Sequence, residues 1–224
     1  KLAFVYTEKN GDNEQKSGIW LADSKNRAQQ LVNSQQPGMY KGWIVSPDAA
    51  LRFSKDASRL FFGTSPAPLQ KDKRVLPENR PNVQVWSGNE PVQYTVQQYN
   101  VKKDLKKSYA AVFLLNENKM IQLADTALQE TLLPSENGEW AIVYTSRPYS
   151  LSSMWEGRTR VDYYKVSLCT GERSLLKTAD YTRYRISPEG RFAYGYNPTD
   201  SCWYTYHFSS SRLIKLTSPR NFTA

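Results

Sequence analysis

The chain of 224 residues is poor in metal-ligating side chains, with one histidine and two cysteines. A zinc finger needs four cysteine or histidine ligands, so the composition excludes that class of site. The longest apolar run covers residues 110–115, whereas a membrane-spanning helix requires about 20 apolar residues. The sequence begins at Lys1 without an initiator methionine or a signal-peptide pattern. We therefore expect a fragment from which any signal peptide was removed or never included.

Charge of one sign is in excess, but it is scattered. The chain carries 30 Lys and Arg against 21 Asp and Glu, a net charge of +9. The densest basic cluster is interrupted by Asp104 and consists of Lys102, Lys103, Lys106 and Lys107. Nucleic-acid binding depends on phosphate neutralisation by a concentrated basic surface. We interpret this cluster instead as a solvated face, or a surface for acidic partners, and predict no nucleic-acid partner.

A hairpin pattern occurs three times in the chain, at residues 54–62, 135–144 and 187–196. Each copy has a serine, an acidic or amide residue at a turn, and then an alternating aromatic run. Alternation predicts half-buried strands. We expect Asn137-Gly138 and Glu189-Gly190 to supply the positive φ that a tight turn demands.

A second hairpin pattern follows each of these copies, at residues 112–123, 164–176 and 206–216, and a fourth copy lies at 19–31 after a single strand at 2–7. Two hairpins in succession form a four-stranded antiparallel unit. The closing residues Leu123, Leu176 and Leu216 recur at spacings close to the ~40–50 residues of a propeller blade. The patterns predict an all-β fold built from β-propeller blades.

We predict one β-propeller domain over residues 1–224, with about four blades in an incomplete ring. The predicted blades cover residues 1–35 (in part), 40–125, 126–180 and 181–218. The second blade carries an insertion at 65–109, in which 83–86 is predicted to be a strand and 97–107 a helix. Closed propellers have about 4 to 8 blades. An unclosed ring exposes strand edges, and we expect these edges either to pair with another copy of the chain or to rely on residues that the chain lacks.

The segments 51–63, 83–86, 108–115, 122–125 and 186–192 resemble the N-terminal propeller of prolyl-oligopeptidase-family serine peptidases, and most closely the large envelope-associated enzymes of the Bacteroides group. The resemblance covers most of the chain. It implies a propeller that caps and gates a following α/β-hydrolase domain, which carries the catalytic serine, aspartate and histidine and acts on peptides. It also implies a bacterial parent protein that is periplasmic, envelope-associated or secreted.

The chain itself lacks the sequence signs of catalysis. No Gly-x-Ser-x-Gly nucleophile elbow occurs in it. His207 lies in an alternating aromatic run and is interpreted as a sheet residue rather than a catalytic base. Ser174 and Lys177 match a Ser-x-x-Lys pattern, but its two partner motifs are absent. We expect no catalytic residues, no cofactor and no metal in this chain.

Most aromatic side chains are expected to form core packing between sheets. Five side chains are candidates for ligand or partner contact because they lie in connections: Tyr149, Met154 and Trp155 in residues 147–160, and Tyr40 and Trp43 before the second blade. Two other functions stay open. One is a TolB-like envelope propeller that binds a protein or ligand with no enzyme attached, and the other is a glycan-binding or glycan-hydrolysing propeller with paired acids.

Overall fold

The computed structural model describes residues 2–10, 14–22, 27–68, 83 and 86–218. It is mostly β, with four antiparallel sheets of three to five strands, which confirms the predicted all-β, propeller-like fold class. The chain divides into two compact units. Unit one holds residues 1–51 and 62–108, and unit two holds residues 52–61 and 109–224. The predicted single domain and its blade boundaries stay a prediction.

Unit one contains a three-stranded sheet and a short strand pair. The sheet has the order β1 (Leu2–Asn10), β2 (Glu14–Ala22) and β3 (Ala28–Val32). Strand β4 (Trp43–Val45) pairs with residues 64–66 of β6 (Arg59–Pro66). The single strand and the hairpin predicted at residues 2–31 are thereby confirmed. Ile19, Val32 and Val45 are fully buried and belong to the core.

The insertion in unit one differs in part from expectation. Helix α1 (Tyr94–Asp104) confirms the predicted helix but begins and ends three residues earlier than 97–107. It buries no side chain. Val83 and Trp86 lie outside any strand, and residues 84–85 of the predicted added strand lie outside the described residues.

Unit two contains the repeated sheets. Strand β5 (Arg52–Phe53) pairs with residues 60–61 of β6, and β7 (Tyr109–Leu114) pairs with β8 (Lys119–Gln122). One sheet consists of β9 (Glu130–Leu132), β10 (Trp140–Thr145), β11 (Val161–Ser167) and β12 (Arg173–Asp180). The next consists of β13 (Arg185–Ile186), β14 (Phe192–Asn197), β15 (Cys202–His207) and β16 (Arg212–Lys215). These pairings confirm both predicted hairpin patterns. A 3-10 turn (Arg147–Tyr149) and α2 (Ser153–Glu156) occupy the long connection between β10 and β11.

One core cluster of unit two lies between these last two sheets. Ile142, Val161 and Tyr163 of one sheet form a buried cluster with residues of the other sheet and its flanking turns. Those residues are Tyr184, Ala193, Tyr206 and Phe208. Burial of apolar side chains contributes about 25 cal/mol per Å², so this interface is a main source of stability for the pair of sheets.

Two of the serine-containing hairpins share one hydrogen-bond pattern at their turns. The Ser54 amide donates to the Arg59 carbonyl, and the Ser187 amide donates to the Phe192 carbonyl. Three residues after these serines the backbone is left-handed, at Gly190 (φ 63°) and at Ala57 (φ 53°). The expectation is confirmed for Gly190.

For Gly138 the expected positive φ is wrong. Position 138 has no room for a side chain, because a β-carbon there would lie 2.7 Å from the Glu189 carbonyl oxygen and 2.9 Å from Cβ of Pro134. This lack of space explains the glycine.

The three turns are stacked on one another. The Asp56 amide donates to Oδ1 of Asn137 at 3.0 Å, and the Glu136 amide donates to the Pro188 carbonyl at 2.9 Å. Corresponding turns of successive repeats are therefore linked directly.

Among the residues described, no helix is long and apolar enough to cross a membrane.

Candidate functional site

A cleft of about 680 Å³ opens on unit two, and we call it the arginine cleft. Its charged and aromatic lining consists of Arg158, Arg183, Arg185, Tyr181, Tyr194, Tyr196 and Trp203. The connection before β11 supplies Arg158, the segment from β12 to β13 supplies Tyr181 and the other two arginines, and strands β14 and β15 supply the remaining rings.

Strand register places the aromatic wall of the cleft on one sheet face. Arg185 lies opposite Tyr194, and Tyr196 lies opposite Trp203. Residues opposite one another in an antiparallel pair point to the same face. The rings of Tyr196 and Trp203 have centroids 5.7 Å apart. Gly195, between the two tyrosines, is buried on the other face, where a β-carbon would lie 2.7 Å from the Arg183 carbonyl oxygen.

The arginines give the cleft hydrogen-bond donors and positive charge. No carboxylate is among the described residues that line it. Nη2 of Arg183 donates to the Thr159 carbonyl at 3.5 Å. A guanidinium presents a fork of N–H donors that matches carbonyl and carboxylate oxygens, while tyrosine and tryptophan rings offer apolar faces. The cleft is therefore suited to binding.

The described lining of the cleft holds few side chains of the types that act as nucleophile or general base. Among its described residues there is no serine, cysteine, histidine, aspartate or glutamate. Thr159 and the tyrosines of the lining are its side chains with a hydroxyl group that such chemistry could use. No group of three or more metal-ligating side chains occurs in the part of the chain that the structure describes.

Acidic residues near the cleft are engaged in holding its walls. Glu156 forms an ion pair with Arg160 and accepts a hydrogen bond from the Tyr181 hydroxyl at 3.1 Å. The hydrogen bond from Arg160 is the main cause that lowers the pKa of Glu156. This carboxylate therefore stays ionised and fixes the ring of Tyr181 at the edge of the cleft.

Asp180 is buried at the end of β12 and anchors the segment that carries the arginines. It accepts hydrogen bonds from the Thr182 amide at 3.0 Å, from the Tyr184 hydroxyl at 3.2 Å and from Nδ2 of Asn197 at 3.3 Å. Burial, followed by the charge of Asp180, raises the pKa of Tyr184. Tyr184 therefore stays neutral and donates its hydroxyl hydrogen. Arg183 and Arg185 are its two neighbours in the chain.

Three of the predicted candidate residues lie beside the arginine cleft but do not line it. The Tyr149 hydroxyl donates to Oδ1 of Asp162 at 2.6 Å, and this bond is the main cause that raises the pKa of Tyr149. Met154 and Trp155 lie in α2 and are 57% and 75% exposed. They belong to the same connection as Arg158, which does line the cleft, and their role in ligand or partner contact stays a prediction.

The other two predicted candidates belong to unit one. Tyr40 and Trp43 pack edge to face with ring centroids 5.3 Å apart. Trp43 begins β4, and Tyr40 lies in the turn before it. The two groups of candidates are thus in different units.

His207 is the last residue of β15, as the sheet interpretation predicts. Its Nδ1 lies 2.8 Å from Oγ of Ser210, and its ring centroid lies 4.8 Å from that of Phe192. The described residues give His207 no carboxylate partner of the kind that orients a catalytic histidine. Its contacts are those of a strand end and its turn.

Comparison with known proteins gives no sequence-level relative. No protein-family model matches the chain, and no curated protein sequence matches it. Similar solved structures include a prolyl endopeptidase at 10% identity and TM-score 0.40, which covers 96% of this chain and 28% of that one.

An acylaminoacyl peptidase from Pyrococcus horikoshii is similar at 8% identity and TM-score 0.42, over 96% of this chain and 30% of that one. An oligogalacturonate lyase is similar at 10% identity and TM-score 0.35, over 91% of this chain and 48% of that one. The chain therefore spans less than half the length of each of these proteins.

Proposed function

We propose that the chain is a non-catalytic β-propeller segment of a serine peptidase, in which it caps and gates a following α/β-hydrolase domain that acts on peptides. The observation that carries this proposal is the repeat in unit two, where successive four-stranded hairpin pairs are joined through stacked turns. The segments that form these turns, within 51–63 and 186–192, are also those that resemble the propeller of prolyl-oligopeptidase-family enzymes.

The proposed division of labour agrees with the chemistry of unit two. The arginine cleft offers donors and aromatic faces, and no serine, cysteine, histidine, aspartate or glutamate is among its described lining residues. In the proposal the serine, aspartate and histidine lie in the hydrolase domain of the parent protein, and the propeller controls which peptides reach them.

The test uses the parent protein, captured from its native source with antibody raised against this chain. Its intact mass is measured, and it is treated with a fluorophosphonate probe, which reacts with activated serines. We expect a mass well above the 25.7 kDa of this chain and labelling that heat denaturation abolishes. A parent that stays unlabelled while trypsin labels in the same reaction overturns the peptidase assignment.

Gating is tested separately on a labelled parent. We expect cleavage of short peptides and no cleavage of a folded protein that carries the same sequence in an exposed loop. Equal rates on both substrates overturn the gating role and leave the peptidase assignment in place.

The second candidate is a TolB-like envelope propeller that binds a protein or ligand and has no enzyme attached. The arginine cleft favours it, because a concave surface with guanidinium donors and aromatic rings is typical of binding sites. For this candidate we expect an unlabelled parent that contains further repeats and no hydrolase domain. Both candidates are proposed to be periplasmic, envelope-associated or secreted, which fractionation of the source cells with the same antibody tests.

A further inference from the structure

The last two sheets of unit two repeat each other position by position. Ser135 and Ser187 begin equivalent turns, so the residues of β10 align with those of β14. The aligned pairs that share one sheet face are Trp140 with Phe192, Ile142 with Tyr194, and Tyr144 with Tyr196. The strand partners agree with the alignment, because Tyr144 lies opposite Tyr163 and Tyr196 lies opposite Trp203. The same face of two successive sheets can therefore be compared directly.

This face is covered in one sheet and open in the next. Ile142 is 0% exposed, and its cluster includes Ala193, Tyr206 and Phe208 of the following sheet. Its equivalent, Tyr194, is 37% exposed. We define the open face as Phe192, Tyr194, Tyr196 and Trp203, all of which are between 37% and 42% exposed. An aromatic face this exposed is one that natural proteins usually cover.

An arginine of the arginine cleft has an equivalent that already spans two sheets. Arg52 and Arg185 are each the first residue of the short strand before the serine turn. Arg52 lies opposite Phe61, with its guanidinium carbon 4.8 Å from the ring centroid. Its Nη2 donates to the Pro134 carbonyl, just before the turn of the next sheet, at 2.9 Å. Phe61 is buried as a result of this packing, at 3% exposure.

Arg185 has the same position without the acceptor. It lies opposite Tyr194 as Arg52 lies opposite Phe61. The described residues give Arg185 no hydrogen-bond acceptor, and Tyr194 is exposed where Phe61 is covered. The missing part of the arrangement is thus a turn carbonyl together with an apolar sheet face.

We propose that the open face binds a further antiparallel β-sheet of the same repeat, carried by the parent polypeptide, and that Arg185 donates to the carbonyl that precedes the serine turn of that sheet. The occupant presents small and aromatic side chains in the places that Ala193, Tyr206 and Phe208 take against Ile142. This further sheet then occupies the arginine cleft. The inference shares with the proposed function only the premise of a longer parent chain, and it holds whether or not a hydrolase domain follows.

Hydroxyl-radical footprinting of the native parent protein tests whether the open face is covered. Trp155, which is exposed, and Tyr163, which is buried, serve as internal references. We expect Tyr194 and Trp203 to react as slowly as Tyr163 and several-fold more slowly than Trp155. Reaction of both residues at the rate of Trp155 overturns the proposal. Serine labelling is a separate readout, so an unlabelled parent with a protected face refutes the peptidase and retains the docked sheet.

The identity of the occupant is tested with a photoreactive benzoylphenylalanine in place of Tyr194 in the parent protein. We expect an intramolecular cross-link to a segment with the serine turn and alternating apolar strand of this repeat. A cross-link to residues 1–224 of a second, isotopically labelled copy assigns the face to self-association and overturns the proposal. A cross-link to another protein, or none, overturns it as well.

The role of Arg185 is tested by two variants of the parent. We expect Arg185→Ala to raise the footprinting rate of Tyr194 several-fold, and Arg185→Lys to raise it less, because lysine retains a donor. The control Lys119→Ala alters an exposed residue at the start of β8 and leaves the rate unchanged. Equal rates for Arg185→Ala and the parent overturn the assigned hydrogen bond.

Discussion

Gly138 and Gly190 lie against each other at two stacked turns. A β-carbon on Gly138 would lie 2.8 Å from Cα of Gly190, and a β-carbon on Gly190 would lie 2.9 Å from Cα of Gly138. Both contacts involve backbone atoms, which cannot turn aside as a flexible side chain does. Two repeats of unit two are thus joined at a place where neither has room for a side chain.

Gly138→Ala is expected to destabilise the protein, because the added methyl group forces the two turns apart. Overpacking of this kind costs about 1–3 kcal/mol. The measurement is the free energy of unfolding in urea. Gly88→Ala is the matched control, since a β-carbon there meets nothing within 4 Å and its φ is not positive. Equal effects of the two substitutions would contradict the close packing of the turns.

Ala57→Gly is expected to stabilise the protein. Ala57 has a φ of 53°, at the turn position where Gly190 has 63°. A left-handed residue with a β-carbon costs roughly 1–2 kcal/mol, which glycine avoids, although its greater freedom in the unfolded chain offsets part of the gain. The gain in unfolding free energy should therefore be about 1 kcal/mol or less. Ala127→Gly, at an exposed position without positive φ, is the control and should lower stability slightly.

The turn at Asp56 is expected to weaken in acid. The hydrogen bond from the Ser54 hydroxyl, followed by the bond from the Ser58 amide, lowers the pKa of Asp56 from 3.8 to about 2. A lowered pKa means that the ionised carboxylate stabilises the folded state above pH 4, and that this contribution is lost as the pH falls from about 4 through 2. Thermal melting of the protein and of Asp56→Asn should differ at pH 6 and converge towards pH 2. A constant difference across this range would show that Asp56 does not titrate as described.

Tyr184→Phe is expected to destabilise unit two, because it removes a hydroxyl that donates to the buried carboxylate of Asp180 at 3.2 Å. Loss of a hydrogen bond to a buried charged group costs about 1–3 kcal/mol. Asp180 keeps its bonds from Thr182 and Asn197, which places the effect near the lower end. Tyr99→Phe, at a side chain that is 88% exposed, should change the unfolding free energy within experimental error. A neutral Tyr184→Phe would contradict the anchoring role of Asp180.

The strands and their pairing were predictable from the sequence because they depend on local alternation and turn residues. Gly190 has the positive φ that its turn chemistry predicts. Gly138 does not have a positive φ. A glycine is required there by close contact with another repeat, and such contacts cannot be predicted from the neighbouring residues in the sequence. The predicted strand at 83–86 failed at Val83 and Trp86, where apolar spacing alone was used and no partner strand was identified.

The arginine cleft was not predictable in the same way. Arg158, Arg183 and Arg185 are separated in the chain and come together only when the connection before β11 lies beside the start of β13. The available signal was the alternation of Arg183 and Arg185 around Tyr184, followed by Tyr194 and Tyr196 around Gly195. Met154 and Trp155 were candidates because they are apolar residues in a connection, and they precede the lining residues Gly157 and Arg158 in the chain.

The stacked turns also determine how the repeats of unit two share their stability. Each hydrogen bond between turns joins a repeat to its immediate neighbour, from Asp56 to Asn137 and from Glu136 to Pro188. Stability in such an array is a sum of the intrinsic term of each repeat and a coupling term for each junction. Local opening is then expected to start at a terminal repeat, which has only one junction, and to proceed inward. A repeat added at the end of such an array stabilises the former terminal repeat, because that repeat gains a second junction.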